Sequence, residues 1–221
     1  MSSRQVVDAQ RAQWERTYAE RPEFFGQSAS EPARAAVDRF EADNVRSLLE
    51  LGSGQGRDTL FFLSSGLAVT ALDYADEGLE QIRRKGVEAQ IAAGLTLLTA
   101  DVRQPLPIDE ATFDACYSHM LFNMALATNE LESLVAELHR VVRPGGLVVY
   151  TARNTSDSHF GAGIDHGDGM FEMGGFIVHF FDRALITRLA KGFEVLDVAE
   201  YEEGRLPRRL FAVTMRREPM T

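Results

Sequence analysis

A run of three glycines at alternate positions constrains this chain more than any other feature. Residues 45–51 are mostly apolar, Gly52, Gly54 and Gly56 follow, and helical spacing begins at Arg57. Glycines at such a point let the backbone turn sharply and leave no Cβ between the main chain and a bound ligand. The segment therefore predicts a strand, a ligand-binding turn and a helix, which together are the opening unit of an α/β fold.

The rest of the chain repeats this alternation of β-branched runs and amphipathic helical spacing, which predicts parallel strands joined by crossover helices. We expect caps for the helices at Asp76, at Asn129 (with Glu132 three residues later) and at Asp182. The last two strand-like runs have no helix between them and should pair antiparallel. The expected strands are residues 45–51, 67–73, 95–99, 113–118, 147–151, 193–199 and 209–215, and an N-terminal helix is expected over residues 8–19.

Charge and cysteine content limit the partners and the compartment. The 221 residues carry 23 Lys and Arg against 33 Asp and Glu, a formal net charge of −10, which argues against a broad nucleic-acid or anionic membrane surface. The start of the chain has no apolar secretory core, and Cys116 is a single cysteine, which excludes an internal disulfide. We therefore expect a cytoplasmic monomer or homodimer without nucleic-acid or membrane partners.

The spacing of the glycines decides between nucleotide-binding motifs. A dinucleotide fingerprint would place its third small residue at position 57, where the chain has Arg57, and no Gly-Lys-Ser/Thr follows for a phosphate loop. Glu50, two residues before the first glycine, stands among leucines, and a charge in such a place needs a partner to offset its desolvation. The pattern is thus Gly-x-Gly-x-Gly with an acidic residue two places before it, and Glu50 could also be a solvated strand end.

These motifs, taken in order, resemble those of class I S-adenosylmethionine-dependent methyltransferases. The resemblance covers about residues 45–151, and the continuation Gly-Arg-Asp-Thr-Leu-Phe-Phe is similar to the small tellurite-resistance and thiopurine-type branch. It implies a Rossmann-like three-layer α/β sandwich with a seven-stranded, mostly parallel sheet and an antiparallel C-terminal strand. The motifs that carry it are residues 50–56, Asp73, Asp101-Val102, residues 113–123 and Arg143-Pro144-Gly145-Gly146.

The resemblance also implies a division of the chain. Residues 1–221 would form a single methyltransferase domain. Within it, residues 1–43 would be an N-terminal helical lid, 44–152 the cofactor-binding core, 153–180 an acceptor loop, and 181–221 a C-terminal helix and β-hairpin.

The implied cofactor is S-adenosyl-L-methionine, which leaves as S-adenosyl-L-homocysteine. Asp73 would accept both ribose hydroxyls, since a carboxylate has two acceptor oxygens, and Asp101 would take the adenine amino group; both could instead cap local turns. Glu50 would lie near the ammonium and sulfonium charges, and Ser118 would border the sulfonium. The full expected set is Glu50, Gly52, Ser53, Gly54, Gly56, Arg57, Asp73, Tyr74, Asp101, Val102 and Ser118.

The acceptor side is expected after the fourth and fifth strands. A polar, glycine-rich segment, residues 153–175, has no evident secondary structure and is interpreted as an acceptor loop or a flexible surface loop. A metal site is a third interpretation, because His and Asp are suitable ligands, but their spacing matches no metal motif and we assign no metal ligands. The candidate catalytic residues are His119, His166, His179 and Tyr18, and the candidate acceptor contacts are Trp14, Tyr18, Asn123, Arg153 and His159.

The expected reaction is in-line displacement, in which an O, N, S or chalcogen atom of a small molecule takes the methyl group. Because the sulfonium already activates that group, the protein mainly aligns the reactants in a dry cleft. Two alternatives stay open at this point: an NAD(P)-dependent oxidoreductase and a non-catalytic cofactor-binding module. The single Cys116 excludes arsenic methylation through a set of thiols.

Overall fold

A computed structural model describes residues 3–204 and 208–219, with side-chain surroundings from Ala9 onward. The helices are α1 (Ser3–Glu20), α2 (Glu31–Ala42), α3 (Arg57–Ser64), α4 (Asp76–Glu88), α5 (Thr128–Val141) and α6 (Arg183–Leu189). The main strands are β1 (Ser47–Leu51), β2 (Ala68–Asp73), β3 (Leu95–Thr99), β4 (Phe113–His119), β5 (Val142–Arg153), β9 (Phe193–Glu203) and β10 (Arg208–Arg217).

The seven main strands form one sheet in the order β3-β2-β1-β4-β5-β10-β9. Strands β1 to β5 pair in parallel, and β10 runs antiparallel to both of its neighbours. This confirms the predicted mostly parallel sheet and the antiparallel C-terminal pair. The strand order reverses between β1 and β4, and in open α/β sheets ligands bind at that point, beyond the carboxyl ends of the strands.

Side chains of the central strands are buried on both faces of the sheet. Leu48 of β1 packs with Phe40 of α2 and Phe62 of α3, whereas Leu49 belongs to the cluster on the other face with Leu131 of α5. The alternation follows from the two-residue period of a strand. Each such fully buried side chain contributes about 1.5–3 kcal/mol relative to exposure, so both helical layers hold the sheet rigid beneath its carboxyl edge.

The predicted helical lid over residues 1–43 divides into two parts with different positions. Helix α2 is a layer of the core: Ala33 and Phe40 are fully buried, and Ser30 caps it by accepting a hydrogen bond from Ala33 N. Only α1 and the segment 21–29 lie over the carboxyl edge of the sheet. The cap and the proline at the start of α2 were the sequence signals for this second helix.

Two of the three expected helix caps are wrong. Asp182 caps α6, with its Oδ1 2.7 Å from Leu185 N, as predicted. Helix α5 begins at Thr128, whose N–H and hydroxyl both donate to Asp168, and not at Asn129. Helix α4 takes its cap from the distant Glu15 and not from Asp76.

The glycine-rich segment after β5 is folded, contrary to the prediction that it has no regular structure. Strands β6 (Ile164–Gly167), β7 (Met170–Met173) and β8 (Phe176–His179) form an antiparallel three-stranded sheet of their own. It contacts α1, where Gln10 Nε2 donates to Gly175 O at 2.8 Å. Within residues 3–204 and 208–219, no helix is long and apolar enough to cross a membrane, and no three metal-ligating side chains come together.

Candidate functional site

A cavity of about 340 Å³ opens at the carboxyl ends of β1, β2 and β4, under α1 and the segment 21–29. A second hollow of about 40 Å³ continues from it, and the two share Gly52, Asp73 and Tyr74 in their walls. This is the position that the strand order dictates for a ligand. The site is therefore one continuous cleft with a larger and a smaller end.

The glycine turn, residues 52–56, forms the floor of the cleft. Gly52, Gly54 and Gly56 all have positive φ, at 69°, 52° and 82°. A Cβ placed on Gly56 would lie 2.5 Å from Ile82 Cγ1 and could not be accommodated without a shift. Ser53 lies in the cleft wall, and its buried Oγ has no hydrogen-bond partner within the described residues. A polar atom left unpaired in this way costs about 1–3 kcal/mol, which a bound ligand with a donor or acceptor would recover.

Asp73, at the end of β2, holds the turn and faces the cleft. Its Oδ2 accepts a hydrogen bond from Gly54 N at 2.8 Å, and its Oδ1 accepts one from Ala75 N at 2.9 Å. Burial raises the pKa of Asp73 from 3.8 to about 6, and the backbone hydrogen bonds oppose this. Each carboxylate oxygen keeps a second lone pair, so the group can also accept from a vicinal diol.

Glu50 gives the cleft a buried acidic group. Only 3% of the residue is exposed, and its Oε2 accepts a hydrogen bond from Thr59 Oγ1 at 2.5 Å. Burial, and then the negative charge of Asp58, raise the pKa of Glu50 well above its usual value. Such an acid is stabilised as the anion when a cationic group enters the cleft.

The smaller hollow lies beside Asp101 and Val102, with Tyr74 across from them. Asp101 Oδ1 accepts from Arg103 N at 3.0 Å, and Arg103 Nε contacts both carboxylate oxygens. Burial alone would raise the pKa of Asp101, but these hydrogen bonds outweigh it and lower the pKa. Asp101 therefore caps a local turn, which is the alternative that the sequence left open, and it also lines the hollow.

Two residues expected to touch the cofactor have other contacts. Ser118 is fully buried outside the cleft wall, and its Oγ donates to Leu51 O at 3.1 Å, so it supports the pairing of β4 with β1. This corrects the expectation that Ser118 borders the sulfonium. Arg57 lines the cleft, with Nη1 donating to Phe25 O at 3.1 Å and Nε 3.4 Å from Asp58 Oδ1, and thereby ties the segment 21–29 to the glycine turn.

Trp14 and Tyr18 line the cleft from α1. The ring of Trp14 lies 4.8 Å from that of Phe176 and 6.0 Å from that of Phe25. Burial, and then the charge of Asp73, raise the pKa of Tyr18 well above 10, so its hydroxyl remains a hydrogen-bond donor at neutral pH. We call the aromatic side chains on this side of the cleft the aromatic wall: Trp14, Tyr18, Phe24, Phe25 and Phe176.

Arg153, at the end of β5, is a buried cation in the cleft wall. Its Nε donates to Asp157 Oδ2 at 3.0 Å, its Nη2 donates to Asp157 Oδ1, and its guanidinium stacks on Phe180 at 5.0 Å. Nη2 also lies 2.8 Å from His159 Nδ1. An arginine only donates, so Nδ1 of His159 is the acceptor and its Nε2 carries the proton.

Asn123 lines the cleft beside Arg153. It is fully buried, its Oδ1 accepts from Arg153 N at 3.1 Å, and its Nδ2 has no partner among the residues that the structure describes. Because the partner of Oδ1 is a backbone N–H, the amide orientation is fixed and Nδ2 is the free end. The missing hydrogen bonds cost about 1–3 kcal/mol unless a ligand supplies an acceptor.

His119 is the last residue of β4, one residue beyond the end that the sequence predicted for this strand, and it lines the cleft. Its Nδ1 lies 2.9 Å from Thr151 Oγ1, which also accepts from Met120 N, and its Nε2 lies 3.4 Å from Glu203 Oε2. Both ring nitrogens therefore have partners, and the ring bridges the ends of β4 and β9. This arrangement favours a positioning role over that of a free base.

The other two candidate histidines lie outside the cleft, which corrects their assignment as catalytic residues. His166 is on β6, where its Nε2 pairs with Glu172 at 2.8 Å. His179 is the buried last residue of β8; its Nδ1 donates to Leu126 O at 2.7 Å, and burial lowers its pKa. Each has a partner that explains its position without a role in chemistry.

Sequence reasoning missed several residues of the site. Gly78 of α4 packs so closely on the glycine turn that a Cβ there would lie 2.4 Å from Gly54 O. A glycine inside an otherwise strongly periodic helix was the available signal. Arg208, from β10, also lines the cleft, and no local pattern marks it.

Comparison with known proteins agrees with this geometry. Residues 49–150 match the family model described as a methyltransferase domain. The malonyl-[acyl-carrier protein] O-methyltransferase of Salmonella typhimurium is 31% identical over 137 residues, which are 58% of this chain and 51% of that protein. Phosphoethanolamine N-methyltransferase 1 of Triticum aestivum is 31% identical over 102 residues, 46% of this chain and 20% of that protein. The chain thus spans about half the length of the first of these relatives.

Solved structures share the fold. The 1,6-didemethyltoxoflavin-N1-methyltransferase of Burkholderia thailandensis, with 1,6-didemethyltoxoflavin and S-adenosylhomocysteine bound, gives a TM-score of 0.77 at 17% identity and covers 99% of this chain and 91% of that one. TehB from Haemophilus influenzae gives 0.65 at 18% identity, covering 84% of this chain and 62% of that one. At these identities the likeness is one of fold.

The glycine turn, the strand-end acids and the sheet order define an α/β domain with a ligand cleft at the point where the strand order reverses. Residues 49–150 match the methyltransferase-domain model and the fold is that of the solved S-adenosylmethionine-dependent methyltransferases, so this part of the chain is similar to the class I enzymes of that kind. Its narrower likeness to the tellurite-resistance and thiopurine-type branch stays a prediction.

Proposed function

We propose that this chain transfers the methyl group of S-adenosylmethionine to a small-molecule acceptor held in the cleft. The observation that carries the proposal is the glycine turn joined to Asp73, which together border a cavity of about 340 Å³. Cofactor and acceptor would occupy different ends of the same cavity. An acceptor carried on an acyl carrier protein is the finer variant that the name of the Salmonella relative suggests.

The residues of the cleft fit the cofactor chemically. Ser53 Oγ is an unpaired polar atom beside the turn, and Asp73 offers acceptor lone pairs for two hydroxyls. Glu50 is a buried acid suited to cationic groups. The hollow beside Val102 is mostly apolar and therefore suits the adenine ring. When bound, the cofactor supplies an activated methyl group on a sulfonium; every other contribution comes from the protein.

We assign the protein three tasks in the reaction. Arg57, through Phe25 O, keeps the segment 21–29 closed over the turn and so excludes water. The aromatic wall holds the body of the acceptor in line with the methyl group, and alignment of this kind lowers the barrier without any acid or base. Tyr18 remains protonated and can donate a hydrogen bond to the acceptor.

His119 is proposed as a positioning residue. Its contacts with Thr151 and Glu203 fix the end of β4 in the cleft wall. We propose no histidine as a base, because Nδ1 of His159 already accepts from Arg153, and His119 is held between Thr151 and the Glu203 carboxylate. The proposed acceptor atom therefore attacks as an anion or as a nucleophile that needs little help from a base.

Calorimetric titration with S-adenosylmethionine, and separately with NADH, tests the cofactor. Micromolar binding of the first and none of the second is the expected result. Transfer from methyl-labelled S-adenosylmethionine to a panel of small molecules then separates an enzyme from a binding module. A chain that binds the cofactor but labels no member of a broad panel would favour the module. The single cysteine fits a cytoplasmic location for this activity.

A further inference from the structure

The cleft is electrically divided. Glu50, Asp58 and Asp73 lie on the side of the glycine turn, whereas Arg153 and Arg208 lie on the far side with His159. A cofactor with ammonium and sulfonium charges suits the acidic side. The basic side is left for the acceptor, in a chain whose overall formal charge is −10.

Three side chains on the basic side present only donors to the cleft. Asn123 Nδ2 is buried and unpaired, and its orientation is fixed by the bond from Arg153 N to Oδ1. His159 has its proton on Nε2, because Nδ1 accepts from Arg153. We call Asn123, Arg153 and His159 the donor cluster.

Arg153 makes this cluster rigid. The fully buried carboxylate of Asp157 accepts hydrogen bonds from Nε and Nη2 of Arg153, and the ring of Phe180 packs on the face of the guanidinium. Within the described part of the chain, Nη1 has no hydrogen-bond partner. Nη1 carries two N–H groups, which are therefore left to donate to a further acceptor such as a carboxylate oxygen.

We propose that the donor cluster binds a carboxylate of the methyl acceptor, a proposal that rests on the proposed function above. A carboxylate has acceptor lone pairs only, so it satisfies Nδ2 of Asn123, Nη1 of Arg153 and Nε2–H of His159 together. The aromatic wall takes the apolar or planar body attached to it. The acceptor is thus an organic acid, anchored by its charge at the end of the cleft away from the glycine turn.

The test uses the full chain saturated with S-adenosylhomocysteine and titrated with four probes: benzoate, its neutral analogue benzamide, its cationic analogue benzylamine, and inorganic phosphate. Benzoate is expected to bind at least tenfold more tightly than each of the other three. Equal binding of benzoate and benzamide, tighter binding of phosphate, or no binding of benzoate would overturn the proposal.

Two substitutions locate the carboxylate. Asn123→Asp keeps the acceptor for Arg153 N and replaces the free N–H donors with an oxygen, so benzoate affinity should fall at least tenfold. Arg153→Lys keeps a positive charge for Asp157 but removes the free Nη1 donors, and a similar loss is expected. The matched control is Asn129→Asp, the same change at an exposed position of α5, which should leave benzoate affinity within twofold.

The affinity for S-adenosylhomocysteine distinguishes a failure of the donor cluster from a failure of the proposed function. S-adenosylhomocysteine affinity and the melting temperature are measured for each variant, and values within twofold and about 3 °C of the parent chain establish a folded, loaded protein. If Asn123→Asp does not fold, Arg153→Lys carries the test alone. Benzoate affinity that both folded variants retain would overturn the donor cluster only, whereas an unmodified chain that does not bind S-adenosylhomocysteine would overturn the proposed function.

Discussion

Asp73 combines two tasks that are often divided between residues. Its two oxygens fix the glycine turn through Gly54 N and the start of α4 through Ala75 N, and the same carboxylate faces the cleft. Substitution therefore removes both a ligand contact and the support of the turn. The side chain of His119, by contrast, contacts Thr151 and Glu203 and makes no hydrogen bond to the glycine turn.

We predict that Asp73→Ala weakens S-adenosylmethionine binding at least a hundredfold, while His119→Ala changes it less than threefold. Hydrogen bonds to a charged group are worth about 1.5–3 kcal/mol each, and two lost bonds account for a hundredfold or more. Isothermal calorimetry on both variants measures the difference. Similar small effects in the two variants would contradict the assignment of the ribose site.

The raised pKa of Asp73 predicts a pH dependence of cofactor binding. In the folded chain the pKa is about 6 against an ordinary 3.8, so the carboxyl contributes to stability below pH 3.8, and that contribution is lost as the pH rises through 6. Ribose hydroxyls bind the ionised form, and affinity should therefore fall as the pH drops below about 6. Titrations from pH 5 to 8 should show this step in the parent chain and in Glu50→Gln, but not in Asp73→Asn.

Among the secondary-structure elements, the local sequence pattern predicted the strands of the main sheet. It failed for the helix caps that are supplied by residues distant in sequence. Strands β1, β2, β4 and β5 follow from apolar runs that are largely buried, the edge strand β3 from a run that is half-exposed, and acidic residues stand at or after the ends of β1, β2 and β3. The caps of α4 and α5 come from Glu15 and Asp168, which lie far away in sequence, so Asp76 and Asn129 were natural but wrong choices. The three-stranded sheet in the segment after β5 is built from four-residue strands, too short for periodicity to mark.

Gly78 of α4 packs against the glycine turn, and Gly86 of the same helix provides a matched control for this contact. A Cβ on Gly78 would lie 2.4 Å from Gly54 O, whereas a Cβ on Gly86 would meet Leu95 Cδ2 at 3.4 Å. Gly78→Ala should displace the turn and weaken S-adenosylmethionine binding at least tenfold. Gly86→Ala, the matched change, should leave affinity unchanged and alter stability by less than about 1 kcal/mol, because alanine favours the helix. Equal affinities in the two variants would show that the turn tolerates the shift.

For the whole molecule, the sequence located the residues around the glycine turn better than those on the opposite side of the cleft. Gly52, Glu50 and Asp73 stand next to the strand that positions them, so short spacing was sufficient. Arg208 and Phe176 reach the cleft only because β10 and β8 fold back to it, and no single window of sequence contains that information. His166 and His179 were predicted to be catalytic because histidine can transfer protons, but in the structure they are paired with Glu172 and with Leu126 O.

Cofactor binding should stabilise the entire domain, since the cleft lies between the sheet, α1 and α4. A ligand at one hundred times its Kd adds about 2.7 kcal/mol, and for a chain of this size that corresponds to roughly 5–10 °C in Tm. Thermal melts with S-adenosylhomocysteine should show this shift, and melts with NADH should show none. In Asp73→Ala the same concentration of ligand should give a shift of less than about 2 °C.

Helix α1 is fastened at two places above the cleft. Glu15 accepts from Asp76 N and Glu77 N at the start of α4, while Gln10 donates to Gly175 O next to β8. One helix therefore covers the whole cleft, and a ligand cannot exchange freely while it is in place. We expect the entry of a ligand at either end of the cleft to require that α1 moves away from both attachments.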